Sequence, residues 1–440
     1  MKLSKYIGAL LAITILGLWT DCRDLGTQGP QEENRITLTL IDVGVHEAYL
    51  HVKVQGGATD ERVVLLHNGL PGLTFGASIH DTSIADTGLT QGSLYVYEAT
   101  LQKAGETTSR SNQVAVQTLY PSSESFTWQT YILGDGNNNW IGDAGILSVD
   151  PLVAYVGGEI YKNQDGTAQI DPVPYNFGEW NGISWALQRV NVTFRGNVIT
   201  PPVYGIFPRA QNDIWLAAGL AIHGDGTYWT GHDVRMLVGY DTLSLSKCWG
   251  DQLGMYFVGL HGSLALYDGS RWQRLSSGTT TDINDVWGAI NPVTGKEEVY
   301  CAVTSFITTG DRKILKITDH TTVDSLQWDS QRAVSSVWTN HGYPLYACGD
   351  GLFVNNGAGW RQISLGINDY MNAVRGTGLN DIFVADVNGH IMHWNGLSWQ
   401  MLHSLPAGGY AAMTVKGNLV IAVGDDNQGH GLITIGKREP

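Results

Sequence analysis

What this sequence lacks narrows its function before any motif is found. No stretch after the first 22 residues is apolar for long enough to cross a bilayer as a helix, which points to a soluble or lipid-anchored mature chain. No basic stripe is present and the formal net charge is −15, so nucleic acid is not an expected partner. No two cysteines have the close spacing of a metal-ligand pair. Nor is there a G-x-S-x-G, H-E-x-x-H or phosphate-binding glycine loop, so acyl transfer, zinc hydrolysis and nucleotide chemistry are not signalled. A sialidase-type site would need an arginine triad and a Tyr–Glu pair, of which "FPRA" (207–210) is only a chance fragment. Long helical periodicity is absent too. In its place stand 55 glycines, 15 tryptophans and short β-branched and aromatic runs, which together indicate an all-β protein.

The N-terminus opens "MKLSKYIGALLAITILGLWTDC". Lys2 and Lys5 precede a short apolar run, Ile7 to Trp19, so residues 1–22 read as a secretory signal and the protein is expected to be exported. Cys22 and the polar tether 23–34 that follows resemble a bacterial lipoprotein signal, although Asp21 replaces the usual small residue before the cysteine. That resemblance implies lipidation at Cys22 and a place at the cell surface or facing the periplasm; without it, the protein would be secreted. A lipid anchor would be its one contact with a membrane. Cys248, Cys301 and Cys348 each lie inside an apolar strand-like run and are expected to be buried free thiols.

Residues 35–119 contain about seven short alternating segments separated by turn residues, as in a β-sandwich. Within them, "TGLTQGSLYVYEATL" (87–101) resembles the E–F corner of a fibronectin type III domain. The resemblance implies that Leu89 plugs the core, Gly92 makes the turn, and Tyr95 or Tyr97 supplies the corner hydroxyl. Such domains serve as spacers or adhesive modules. "YPSSES" (120–125) reads as a linker.

From residue 126 to 440 one pattern returns. "EWNGISW", "HGDGTYW", "LYDGSRW", "VNNGAGW" and "HWNGLSW" end at Trp185, Trp229, Trp272, Trp360 and Trp399, each with Gly three residues and Asp or Asn four residues before the Trp. "TTVDSLQW", ending at Trp328, keeps Asp324 but has Ser325 in place of Gly. Asp-Gly or Asn-Gly between apolar runs signals a tight hairpin of type I′, here with a Trp-led second strand. Two further strands lie upstream in each unit, giving four strands per repeat of roughly 40 residues, the signature of a β-propeller. Seven upstream strand pairs are present but only six Trp-led strands follow them. "FTWQTYILG" (126–134) matches "SRWQRLSSG" and "AGWRQISLG", so the segment around Trp128 is expected to complete the seventh blade and close the ring. The expected fold is therefore all-β: a fibronectin type III-like sandwich, then a seven-bladed propeller closed by its N-terminal strand. One Trp per blade would fill the gap that widens toward the rim, and Trp180 and Trp394, the extra tryptophans, are the better candidates for exposure to a ligand.

The units "NDIWLAAG", "GLAIHGDGTYW", "NDVWG" and "GHIMHWNGLSW" are similar to repeats of exported propeller proteins of Bacteroidota-like bacteria, and resemble degenerate Asp-box and tectonin repeats. The latter occur in glycosidases and lectins. These motifs specify a fold rather than an activity.

No cofactor is signalled, with calcium as the one exception to consider. In "DGNNNWIGD", Asp135, Asn137, Asn139 and Asp143 stand at positions 1, 3, 5 and 9 of a calcium-loop pattern. Trp140 and Ile146 occupy the places of the turn glycine and the bidentate glutamate, so a plain Asn-rich loop is the competing reading. Asp350, Asp386 and Asp425 follow the second strand in successive units, where they either gather on one face or satisfy local backbone groups. His390 and His393 point to opposite faces of a strand, and His223 and His393 share one repeat position as framework residues. No residue is assigned a catalytic role. The leading expectation is an exported envelope binding or scaffold protein whose propeller face recognises a glycan or an extracellular protein. A carbohydrate-active hydrolase or lyase using loop carboxylates, and a structural subunit of an extracellular assembly, are the alternatives.

Overall fold

The computed structural model describes residues 35–439 apart from 136, 137, 240, 241, 252, 306–309, 330 and 358. The signal segment, Cys22, the 23–34 tether and Asn137 lie outside the described residues. Strands dominate throughout. Among the described residues the one helix, Val234–Val238, is short, and none is long and apolar enough to cross a membrane.

Strands between Ile36 and Gln117 form two facing sheets. Ile36–Val43, Glu47–Val54 and Asp81–Thr87 make a three-stranded sheet; Leu70–Gly76, Glu61–His67, Leu94–Lys103, Glu106–Arg110 and Val114–Gln117 make the other. Alternation places Ile36, Leu38, Leu50 and Val52 from one sheet against Val63, Leu65, Ala99 and Leu101 from the other in a common core. Leu89 is buried in that core and Gly92 takes a positive φ of 63°. Of the two tyrosines expected at the corner, Tyr95 accepts a hydrogen bond at its hydroxyl from Thr90 N–H (2.8 Å), whereas Tyr97 donates to Asp86 (2.8 Å).

Among the described residues, seven four-stranded antiparallel sheets follow. Six run from first to fourth strand in chain order. Their inner strands are Trp140–Val149, Gly205–Ala210, Ser244–Gly250, Ile283–Asn291, Val334–Trp338 and Met371–Gly378. The seventh takes Gly409–Lys416, Leu419–Asp425 and Gly431–Arg438 from the C-terminus and Phe126–Leu133 from the start of the repeat region, with Trp128 opposite Gly436. Inner strands of consecutive sheets touch in cyclic order, and that of sheet seven touches that of sheet one. Each interface between neighbouring sheets holds its own apolar cluster, such as Ile141 and Val156 with Ile421 and Val423 between sheets one and seven. Both faces of a middle strand are therefore covered. This is why Leu345–Gly349 is buried at every position instead of alternating. Cys248, Cys301 and Cys348 are free and buried among these clusters.

Two local expectations are corrected. The Asp-Gly and Asn-Gly turns are four-residue loops, not two-residue type I′ hairpins: Trp180 pairs with Trp185, Gly224 with Trp229, Tyr267 with Trp272, and Trp394 with Trp399. Asn181, Asp225, Asp268 and Asn395 each accept at Oδ1 from the backbone N–H groups two and three residues on. Only the glycine needs the left-handed region, with φ of 94°, 88°, 89° and 97° at Gly182, Gly226, Gly269 and Gly396. The side-chain acceptor thus does the work that a second positive φ would do in type I′. In sheet four the outer strand is Thr322–Leu326, so Trp328 follows that strand instead of leading it.

Sandwich and ring are joined side to side. Ile41 and Tyr49 share a cluster with Trp338, Tyr346 and Ile382 of sheets five and six. The 120–125 segment is pinned there: Ser122 Oγ donates to Asn380 O (2.6 Å), and Asn395 Nδ2 donates to Glu124 Oε1 (2.8 Å).

Candidate functional site

Two places collect polar chemistry: the axis of the ring, and the seam where the sandwich meets it. A cavity of about 370 Å³ on the axis is lined by inner strands, with Asp143, Lys247, Asp285, Arg375 and Lys416 as its charged groups. Asp143 of sheet one pairs with Lys247 of sheet three (2.7 Å) and accepts from Ile206 N–H of sheet two (3.1 Å). Asp285 of sheet four pairs with Arg375 of sheet six through two bonds (2.7 and 3.0 Å) and accepts from Val337 N–H (3.1 Å) and Ser336 Oγ (2.6 Å) of sheet five. Each buried aspartate therefore ties three successive sheets with the same set of groups: its own carboxylate, the next sheet's backbone and the following sheet's cation. Burial disfavours the Asp285 anion, but the Arg375 guanidinium and its hydrogen bonds outweigh that and hold the carboxyl below its usual range. Neither carboxylate is left free for acid–base work.

The repeat tryptophans pack between sheets. Trp229 meets Phe177 edge-on (5.1 Å), Trp272 meets Phe257 (5.4 Å), Trp360 meets Trp328 (4.8 Å), and Trp128 stacks on His403 (5.0 Å). Trp180 and Trp394, expected to be the exposed pair, are half-buried. Trp180 lies between Tyr131 (5.3 Å) and Trp185 (5.5 Å); Trp394 packs on Trp399 (5.8 Å) and donates its indole N–H to Leu379 O (3.0 Å). The reason is the hairpin register: residues flanking the four-residue loop face each other across it, so a Trp at each end makes a pair.

Trp394 and Trp399 nevertheless open onto a cavity of about 350 Å³ at the seam, whose walls also include Tyr49 and Glu47 of the sandwich and Tyr346 and Arg361 of sheet five. Burial pushes the Glu47 carboxyl up from its usual range. Apart from the two tryptophans, these residues were not singled out by any motif, and Tyr49 and Tyr346 are hundreds of positions apart in the chain. No sequence signal could have gathered them.

Of the calcium-loop residues, Asp135, Asn139 and Asp143 are described, and each has partners of its own. Asn139 is buried and spends its amide on backbone, donating from Nδ2 to Gly429 O (2.8 Å) and accepting at Oδ1 from Tyr161 N–H (2.5 Å). Asp135 accepts from Asn163 N–H (3.1 Å), while Asp143 faces the axis. Asp350, Asp386 and Asp425 accept from Ala333, Asn388 and Asn427 N–H respectively, each satisfying local backbone. Asp386 also joins His390 and Asp369 in a group whose ligand atoms all lie within 4.8 Å, the one such His/Cys/Asp/Glu group among the described residues. His390 Nδ1 lies 2.8 Å from Asp386 and 3.3 Å from Asp369. Asp426 and His430 repeat the first contact at 2.8 Å, so that turn forms from its own residues.

His223 and His393 occupy equivalent framework places. Each lies 2.9 Å from an aspartate, Asp213 or Asp381, and stacks on an aromatic ring, Trp215 (4.1 Å) or Phe383 (4.4 Å). Sheet four has the same arrangement with other chemistry, Lys316 pairing with Glu298 (2.8 Å) beside Tyr300.

No family model and no curated protein matches this sequence. Among solved structures, the chain is similar to YCF48 bound to a D1 peptide, with a TM-score of 0.50, 11% identity and coverage of 71% of this chain and 95% of that one. It is also similar to the WD40 β-propeller domain of Doa1 (TM-score 0.47, 11% identity, 71% and 97% covered). A third is the extracellular domain of a putative one-component system from B. thetaiotaomicron (TM-score 0.47, 11% identity, 69% and 39% covered). At these identities the likeness speaks to fold alone. The chain is an all-β protein whose larger part is similar to β-propellers.

Proposed function

We propose that this chain is an exported, non-catalytic binding scaffold at the cell envelope, in which a fibronectin type III-like sandwich and a seven-bladed propeller form one recognition body. The seven four-stranded sheets with cyclic inner-strand contacts support the blade count. The three-against-five strand arrangement and the Tyr95–Thr90 bond support the sandwich type. Binding without catalysis rests on one observation: both axial aspartates are consumed by ion pairs and backbone bonds that hold the sheets together. A propeller solved with a peptide bound is among the similar structures, which agrees with a recognition role. Lipidation at Cys22 would anchor the body to the membrane, and envelope glycans or proteins are its partners in this reading.

The test follows binding of the full chain to purified envelope polysaccharides and proteins by biolayer interferometry, with reducing ends and peptide products assayed in parallel. Saturable binding without product release is the expected result. Release of sugar ends would replace this reading with the hydrolase. Absence of any binding, with self-association instead, would replace it with the structural subunit. Cys22→Ser is expected to move the protein from the membrane to the soluble fraction.

A further inference from the structure

The seam between sandwich and ring contains two tyrosines, one from each unit, that line a common cavity. Tyr49 is 7% exposed and Tyr346 8%, and both line the cavity of about 350 Å³. Neither hydroxyl has a hydrogen-bond partner among the described residues, whereas the more completely buried Tyr97 donates to Asp86 and Tyr256 meets His320. Both hydroxyls are therefore free to bond whatever occupies the cavity, water or a ligand. Around them stand Glu47, Thr87, Asn356 and Arg361, with the rings of Trp394 and Trp399 and the aliphatic Val354 and Ile363. Arg361 is exposed and has no acidic partner among the described residues.

This inventory combines aromatic faces with hydroxyl, amide, carboxylate and guanidinium groups in a pocket of small-molecule size, placed where two folded units meet. A ligand that fits it has an apolar face and a rim of groups able both to donate and to accept. A carboxylate accepts from hydroxyls, an unpaired guanidinium donates to them, and a tyrosine hydroxyl can do either. An anionic ligand would meet Glu47 and a chain of net charge −15. A cationic ligand would meet Arg361. The balance of charges leaves a neutral polyhydroxylated ring. We propose that the seam cavity is a binding site for a neutral sugar unit, with a CH face against the Trp394–Trp399 pair and hydroxyls bonded to Tyr49, Tyr346, Arg361 and Glu47. This rests on the binding-scaffold reading and names its ligand class and its site.

The experiment titrates the full chain with neutral di- to tetrasaccharides built on glucose, galactose, mannose or N-acetylglucosamine. Short peptides with aromatic side chains form a second arm. Calorimetry and tryptophan fluorescence read the binding. At least one saccharide is expected to saturate. Tyr346→Phe, which keeps the ring and removes only the hydroxyl, is expected to weaken that saccharide about fivefold. Arg361→Ala is expected to weaken it about tenfold or more. Neither change should lower the melting temperature, because neither group has a partner in the protein to lose. Saccharide binding that both variants leave unchanged would place the sugar elsewhere and overturn the proposal while the scaffold reading stands. Peptide binding without saccharide binding overturns the ligand class. No binding in either arm overturns the site, and the envelope-binding assay then decides separately whether the scaffold reading survives.

Discussion

"EWNGISW" in sheet one and "HWNGLSW" in sheet six carry the same tryptophan pair on the same four-residue loop, and the two pairs have different fates. Trp180 and Trp185 sit 5.5 Å apart; Trp394 and Trp399 sit 5.8 Å apart. What differs is the neighbour. Against Trp180 the preceding sheet presents Tyr131, at 5.3 Å, and Trp185 is buried. In the matching place of "AGWRQISLG" sheet five presents Ile363, shorter and without a ring, and the sandwich bridges over the remaining space instead of filling it. The loop determines that a pair forms. The neighbour determines whether that pair is core or the wall of a cavity.

The comparison can be broken most severely at its buried end. Trp185 is 7% exposed, so Trp185→Ala should cost about 3–5 kcal/mol, read in a denaturant melt. Trp399→Ala, at a half-buried site already beside a void, should cost on the order of 2 kcal/mol. Equal losses would mean that the two pairs carry the same packing. Asp285→Ala should also be costly, about 3–5 kcal/mol, because it strands the Arg375 charge in the axis. A smaller loss would show that the axial network does not hold sheets four to six together.

Ile363→Tyr copies sheet one into sheet five. Its expected stability change is under about 1 kcal/mol, because the new ring enters open space and not a packed core. Saccharide binding in titration calorimetry should nevertheless disappear. A separate effect is a pH dependence at the interface of sheets three and four. There burial, with Asp251 nearby, raises the Glu297 carboxyl to about 8. A carboxyl raised in the folded state favours folding fully below its unfolded pKa of about 4.5, and that contribution is lost as pH rises through about 8. Glu297→Gln should therefore raise the melting temperature relative to the parent at pH 9 and leave it nearly unchanged at pH 4. An equal change at both values would mean that the group is not held protonated.

Much of the architecture was legible because it rests on local chemistry. The alternation of Ile36–Val43, the Asp or Asn acceptor with its glycine in each loop, and the match of "FTWQTYILG" to the other outer strands are all short-range. Each shows in the chain before it folds. The turn type was misread for a physical reason: Asp-Gly is compatible both with a two-residue turn and with a longer loop capped by the side chain, and the pairing of flanking residues decides between them. Trp328 was misplaced because Asp324 and Ser325 lie inside the outer strand, opposite Lys316 and Leu315, and the turn falls upstream between Thr318 and Thr322.

By itself, then, the sequence determined the repeat, its period, the strand that joins the two ends and the framework role of His223 and His393. Those features depend on residues close in the chain or on identity between units. The tertiary structure alone decided the rest. Asp143 finds Lys247 and Asp285 finds Arg375 only because inner strands converge on one axis. Tyr49 and Tyr346 share a cavity only because a sandwich from the N-terminal part docks on sheets five and six. Repetition specifies what every unit has in common, whereas a binding site depends on how one unit differs from its neighbours in space.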